Sequence, residues 1–311
     1  MSAVTTSDGQ RLLQGIPWGK CTPSKVSIDL TQLLVAASLI ESRGDSYGEY
    51  LARVFCDEPY FVSRILKWSK EENEHGIALS TWLKHALPEL DFDALFKRYT
   101  TEVTLAYQDS DEQRSIRGSK SAELLSRCSV ESGTSTYYKA MSTIVEDEPL
   151  RIICLRLAAD EISHYGLFKS KLDEMRSRDG IHPFRLLYNS LFRLFELEDD
   201  QVSYAYYLAR SPRGSYDKEY YSNLMTRTLF SVYNRDRVSE LVKLNLRAFG
   251  LSKAPAIQLF SYGKVVQALT TLLFWYIRLR VFRMNWKINF RRIRYQFFSK
   301  NPVLVAEASD G

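Results

Sequence analysis

Two short stretches put a carboxylate and an imidazole side by side. "WSKEENEHG" (68–76) carries Glu72 and His75, and "AADEISHYG" (158–166) carries Glu161 and His164. A spacing of three brings both members of each pair to one side of a helix. Glu41 and Glu131 each stand one helix's length before a pair. Together the six form a metal donor set of four carboxylates and two imidazoles. Carboxylate oxygens are hard ligands that stabilise iron(III), and imidazole suits iron(II). Two divalent cations neutralise four carboxylates and leave the imidazoles as neutral ligands. Without a cation, converging carboxylates repel and raise one another's pKa values. As solvated surface charges they would drag apolar stripes into water, so that simpler reading fails.

Strand signals are poor, whereas helical periodicity is strong from about 27 to 87 and from about 119 to 177. "ESRGDSYGEYLARVFCDEP" (41–59) lies on "ESGTSTYYKAMSTIVEDEP" (131–149) without a gap, at an offset of 90. Past the prolines, "EENEHG" (71–76) lies on "DEISHYG" (160–166) at an offset of 89. Pro59 and Pro149 both follow Asp-Glu and suit the first turn of a helix. The repeat predicts two helical hairpins built alike, each turning at "DEP". At ~1.5 Å rise per residue, Glu41 and Glu72 sit level, roughly 20 Å below their turn, as do Glu131 and Glu161. Residues 88–118 are long enough for a crossover. The prediction is all-α: a ferritin-like four-helix bundle over 27–180 with a helical C-terminal extension.

Each helix carries its candidate ligands within an apolar stripe. The second reads Phe61, Ile65, Trp68, Glu72, His75, Leu79, Trp82, and the fourth Leu150, Ile153, Leu157, Glu161, His164, Phe168. The first, read as one helix, has Leu34, Ala37, Glu41, Gly44, Gly48, Leu51 and Phe55. The third has Glu131, Thr134, Tyr138, Met141 and Val145. Asp160 and Glu71 precede the ligands Glu161 and Glu72, where each can hold the distal nitrogen of a ligand histidine or form a surface salt bridge. Gly44 and Gly48 serve either close helix packing or space beside the metals for an acyl chain or oxygen. His85 and His182 fall outside the pattern and read as ordinary.

At these residues the sequence resembles the soluble acyl-carrier-protein desaturases. "W-x-x-E-E-N-x-H-G" (68–76) and "A-A-D-E-x-x-H" (158–164) look like that family's iron-binding helices, and Glu131-x-x-Thr134 fits its threonine beside the oxygen site. The resemblance covers roughly residues 27–178, and residues 181–311 match nothing in it. It implies two iron ions, with manganese as the alternative, held by Glu41, Glu72, His75, Glu131, Glu161 and His164. It also implies dioxygen-dependent oxidation of an acyl chain, borne by an acyl carrier protein or a lipid. An electron donor such as ferredoxin and a homodimer are implied too, and no nucleic acid. Thr134 would relay a proton to bound oxygen; its bland alternative is a hydroxyl bonded to its own helix backbone. Two other function classes share the scaffold: a di-iron oxygenase for C-hydroxylation or N-oxygenation, and ferritin- or rubrerythrin-like iron or peroxide handling.

The remaining features bound these readings. Cys21, Cys56, Cys128 and Cys154 are scattered without a CxxC pair, which suits reduced thiols in the cytoplasm. Residues 1–26 read as an N-terminal arm with no signal-like apolar core. The longest apolar stretch, Ala268–Ile277, reads as too short to span a bilayer. Residues 181–263 read as accessory helices and 264–311 as a basic amphipathic segment. Residues 241–306 hold twelve Lys/Arg and no Asp or Glu, so an acidic body near −7 carries a basic segment near +12. Phe282, Trp286, Phe290, Ile293 and Phe297 form one helical stripe there, beside Arg280, Arg283, Lys287, Arg291 and Arg294. Three readings stay open: the aromatic stripe packs on the bundle, residues 278–298 lie on the inner face of a membrane, or the basic side docks an acidic carrier protein.

Overall fold

Ser27 starts the first long helix: its Oγ accepts from the Leu30 amide, replacing one of the donors a helix start leaves unpaired. The computed structural model describes residues 10–104, 115–179, 200–210, 215–253 and 261–300, with side chains along the last helix given through Trp286. Eleven α-helices and no strand occur among these residues, so the fold is all-α. A single turn, α1 (Gln10–Leu13), precedes α2 (Ile28–Glu41) and α3 (Gly44–Val54). The long α4 (Pro59–Ala86) follows, with Pro59 in its first turn as the sequence predicts. Next come α5 (Phe92–Glu102), α6 (Lys120–Ile144) and α7 (Glu148–Asp179). Asp91 and Ser119 cap α5 and α6 through side-chain oxygens. Asp147 accepts from the Leu150 amide at the start of α7 and from Trp82 Nε1, both at 2.9 Å.

The predicted first helix is two helices. Ser42 and Arg43 leave helical geometry directly after Glu41, separating α2 from α3. The cause is tertiary. A Cβ on Gly76 would stand 2.2 Å from Ser42 Oγ, and one on Gly44 would stand 2.4 Å from the Ser69 carbonyl oxygen. The break is thus pressed onto α4 where only glycine fits. Ser42 Oγ donates to the Ser38 carbonyl, and Arg43, buried, donates to the Val103 carbonyl at 3.0 Å. Of the two readings of Gly44 and Gly48, close packing holds, because Ser69 and Glu72 fill the space a larger side chain would need.

Two hairpins result, α2/α3 against α4 and α6 against α7, and they meet along α4 and α7. Their turns lie at opposite ends. One apolar core gathers Leu51, Phe55, Phe61 and Ile65, near the first turn, with Leu124 from the start of α6 and Phe168 from α7. The other gathers Leu34, Leu79, Trp82 and Met141 with Leu150 and Ile153 from the start of α7. The end of α4 and the start of α6 therefore stand at opposite ends of the two hairpins. Residues 105–114 of the chain between them lie outside the described residues, as do all of 180–199, His182 included.

Three further helices, α8 (Asp200–Ala209), α9 (Lys218–Ser231) and α10 (Arg235–Ala248), cover the hairpins, α8 on α2 and α10 on α6. The last helix, α11 (Tyr262–Lys300), packs on α9 and α10. One expectation about it is corrected. By length and composition, Tyr262–Trp286 is long and apolar enough to cross a membrane. Of its four cations, Lys264 precedes and Arg278, Arg280 and Arg283 follow an uncharged run over 265–277, longer than Ala268–Ile277. The reading in which its aromatic stripe packs on the bundle also fails for Phe282 and Trp286, which are 66% and 70% exposed. Phe290, Ile293 and Phe297 fall where side chains are not described. The four cysteines are free, Cys128 and Cys154 buried.

Candidate metal centre

All six predicted ligands converge between the two apolar cores. Glu41 closes α2, Glu72 and His75 sit mid-α4, Glu131 sits mid-α6, and Glu161 and His164 sit mid-α7. Their donor atoms form two overlapping sets: Glu41, Glu72, His75 and Glu161, and Glu72, Glu131, Glu161 and His164. Within each set, one donor atom per residue lies within 4.8 Å of the others. Glu72 and Glu161 belong to both. The two imidazoles lie roughly parallel, with ring centroids 5.5 Å apart.

The inward-facing atoms lack partners. His75 Nδ1 lies 3.1 Å from Glu161 Oε1, and His164 Nδ1 lies 2.9 Å from Glu72 Oε1. Their angles make no hydrogen bond, so all four atoms are buried and unsatisfied. Buried polar atoms without partners are costly, and here they point at one another across a small space. A metal ion satisfies acceptor oxygens and imidazole nitrogens together, so the donor chemistry fits a cation.

The outward nitrogens are held. His75 Nε2 lies 3.3 Å from Asp160 Oδ2, and His164 Nε2 lies 3.1 Å from Glu71 Oε2. Each carboxylate comes from the opposite hairpin, and both readings of these residues meet: Asp160 also pairs with Arg11 and Glu71 with Lys67. A carboxylate on Nε2 keeps a proton there and turns Nδ1 to the centre. Thr134 Oγ1 lies within reach of the Val130 and Glu131 carbonyls and 2.8 Å from Glu161 Oε2. Its hydroxyl thus meets the helix backbone and also a candidate ligand.

Two residues escape the sequence reading. Tyr138 donates its hydroxyl to Glu41 Oε1 at 2.6 Å. It stood in the third-helix stripe, where its hydroxyl was the unused signal. Arg11, from α1, binds both oxygens of Asp160, at 3.0 and 2.6 Å. No local signal marks a residue so distant in sequence. His85, read as ordinary, stacks on Trp18 with ring centroids 4.4 Å apart and takes no part in the cluster.

Burial, then the neighbouring Glu72 and Glu161, raise the Glu41 carboxyl well above its ordinary range. Burial and Glu72 do the same for Glu131. Burial alone would favour neutral imidazoles, but the surrounding carboxylates outweigh it and raise both His75 and His164. Burial also opposes ionisation of Glu161, yet the adjacent His164 and His75 imidazoles hold it below the usual carboxylate range. His164 lowers Glu71 to about 2. The four raised groups, Glu41, Glu131 and both imidazoles, hold their protons to higher pH than they would in water, so a cation binding there competes with protons.

A recess of about 210 Å³ opens beside the outer edge of His164. Arg64, Lys67, Glu71, Asp160 and Ser163 line it, with Leu167 its apolar side chain. It is polar and suits small solutes better than an acyl chain. No protein-family model matches the sequence, and no curated protein matches it either.

Proposed function

We propose that this chain is a di-iron, dioxygen-dependent oxidoreductase acting on an acyl chain. The observation that carries the reading is the pair of overlapping donor sets sharing Glu72 and Glu161. Glu72 and Glu161 belong to both sets, Glu41 and His75 complete one and Glu131 and His164 the other, and these six residues would hold two ions. Iron held there supplies two-electron reduction of dioxygen and the means to oxidise an unactivated C–H bond; manganese is the alternative metal. The chain itself does the rest. Asp160 and Glu71 orient the imidazoles, and Tyr138 fixes the Glu41 carboxylate. Thr134 holds a proton at Oγ1, 2.8 Å from Glu161 Oε2, in position to exchange it with the centre. The two apolar cores exclude water from above and below.

The acyl substrate, whether on an acyl carrier protein or in a lipid, and a ferredoxin-type donor are supported by the motif resemblance at 68–76 and 158–164. The polar recess favours a second reading, peroxide or iron handling, which needs no organic cavity. One experiment separates them. The purified chain should hold two irons by elemental analysis. With a reductant and acyl carrier protein substrates, mass spectrometry should find an alkene or hydroxylated acyl product. Iron at two per chain with rapid peroxide turnover and neither product would put the second reading in its place.

A further inference from the structure

The two faces of α11 differ in partner but not in polarity. Val266, Thr270, Ile277 and Met284 are buried against the neighbouring helices, with steps of four, seven and seven. On the opposite face, Leu272, Trp275, Leu279, Phe282 and Trp286 step by three, four, three and four, and each is at least half exposed. The sequence carries the same spacing on through Phe290, Ile293 and Phe297. A helix apolar all round is normally covered all round. Arg278 and Arg283 are exposed along the same stretch, and no acidic residue occurs between 241 and 306.

We propose that this outer face of α11 lies in the plane of an anionic membrane surface, with Leu272, Trp275, Leu279, Phe282 and Trp286 among the acyl chains and the arginines at the headgroups. Three observations commit the face to lipid. Exposed tryptophan beside arginine suits a bilayer interface, with the ring at headgroup level and the cation among the headgroups. The unbroken basic charge is complementary to anionic headgroups. A second copy across this face would instead oppose arginine to arginine, with no acid in the segment to neutralise either. The helix is also fixed in orientation. Tyr262–Trp286 has the length to cross a bilayer, but its inner face is packed on α9 and α10. The latter carries Arg235, Asp236, Arg237, Glu240 and Lys243, charges that hydrocarbon does not accept. A spanning α11 would have to strip away that layer, and an in-plane α11 keeps it. This proposal is independent of the chemistry at the metal centre.

The test uses the full chain and vesicles, either of phosphatidylcholine alone or with phosphatidylglycerol added. The chain should sediment with the anionic vesicles at low salt and less so as salt rises. Brominated acyl chains should quench its tryptophan fluorescence, and a Trp275→Phe/Trp286→Phe variant should lose that quenching. Leu272→Asp together with Phe282→Asp should weaken vesicle binding by about tenfold or more. Both sites are exposed, so helix content and melting temperature should not change. A full chain left in the supernatant with anionic vesicles at low salt overturns the proposal. So does a lipid-free dimer that the double variant splits, which would make the face a self-interface. Protease cleavage on both sides of a reconstituted bilayer would mean that the helix spans, and overturns it as well.

Discussion

The hydroxyl of Tyr138 donates to Oε1 of Glu41 at 2.6 Å, and the two residues lie 97 apart in sequence. This bond ties the candidate ligand at the end of α2 to the middle of α6, across the seam between the hairpins. It holds Glu41 at the one point where its helix breaks. Tyr138→Phe leaves a buried carboxylate oxygen without its donor, a loss of about 1–3 kcal/mol. The variant should melt lower and bind metal about tenfold more weakly, since partners of ligands typically matter by 10–100-fold. Thermal melting and a metal titration check both.

Arg11 reaches the centre through an intermediary. It grips Asp160, which in turn holds Nε2 of His75. Burial opposes the Asp160 charge, but His75 and Arg11 prevail and lower its pKa. Asp160→Asn should therefore weaken metal binding by about 10–100-fold. Arg11→Gln should do less, because Arg11 is half exposed and its ion pair is screened. The order of the two effects, read from competitive chelator titration, is the expected result. An Arg11 effect equal to that of Asp160 would mean that α1 organises the whole site.

Glu131 shows how the metal-free and metal-bound states pull in opposite directions. Its carboxyl is buried, and burial beside Glu72 raises its pKa well above the ordinary carboxylate range. Glu131→Gln removes that conflict, so the metal-free variant should melt at least as high as the parent. The parent should gain about 2.7 kcal/mol at metal a hundredfold above its dissociation constant. The variant, having lost a ligand, should lose most of that gain and bind less metal by elemental analysis.

The spacing of ligands was legible because helical periodicity is local. Glu72 with His75, Glu161 with His164, and the offset of the repeat all follow from counting. The turns at "DEP" were legible because Pro59 suits a helix start whatever surrounds it. The break after Glu41 was not legible, since it arises where Ser42 meets Gly76 and Gly44 meets Ser69, contacts that exist only once α4 is in place. A stripe counted through Glu41, Gly44 and Gly48 reads as one helix to any local rule. Arg11 was hidden for the same reason: a surface-like arginine in an N-terminal arm gains meaning only from Asp160, 149 residues away. The charges of α11 were legible, but which of its faces is covered depends on α9 and α10.

Thr134 meets backbone carbonyls and Glu161 at once. Thr134→Val keeps the shape and the helix while removing the proton-bearing oxygen. Its iron content should equal that of the parent, since Thr134 is not in either donor set. The ratio of acyl product formed to dioxygen consumed should fall, by about tenfold or more if the hydroxyl supplies general acid–base catalysis. Oxygen-electrode measurements beside product analysis give that ratio. An unchanged ratio would leave Thr134 as a helix residue bonded to its own backbone.

The protons of the cluster predict how metal binding depends on pH. Glu41 and Glu131 have raised pKa values, so the folded chain keeps protons that the unfolded chain loses above about 4.3. Their contribution to metal-free stability is present below that value and is lost as pH rises through the folded pKa. His75 and His164 are also raised, and theirs is fully present below about 6.5 and is lost at higher pH. Glu71 has the opposite sign: lowered to about 2 by His164, it stabilises above about 4.3 and loses this as pH falls towards 2. A cation competes with the first four protons and not with that of Glu71. Metal affinity should therefore rise with pH, and binding at neutral pH should release protons. Calorimetric titrations in two buffers of different ionisation enthalpy measure that release directly. Binding without proton release would mean that Glu41 and Glu131 are already ionised in the metal-free protein, against the repulsion that their burial beside Glu72 imposes.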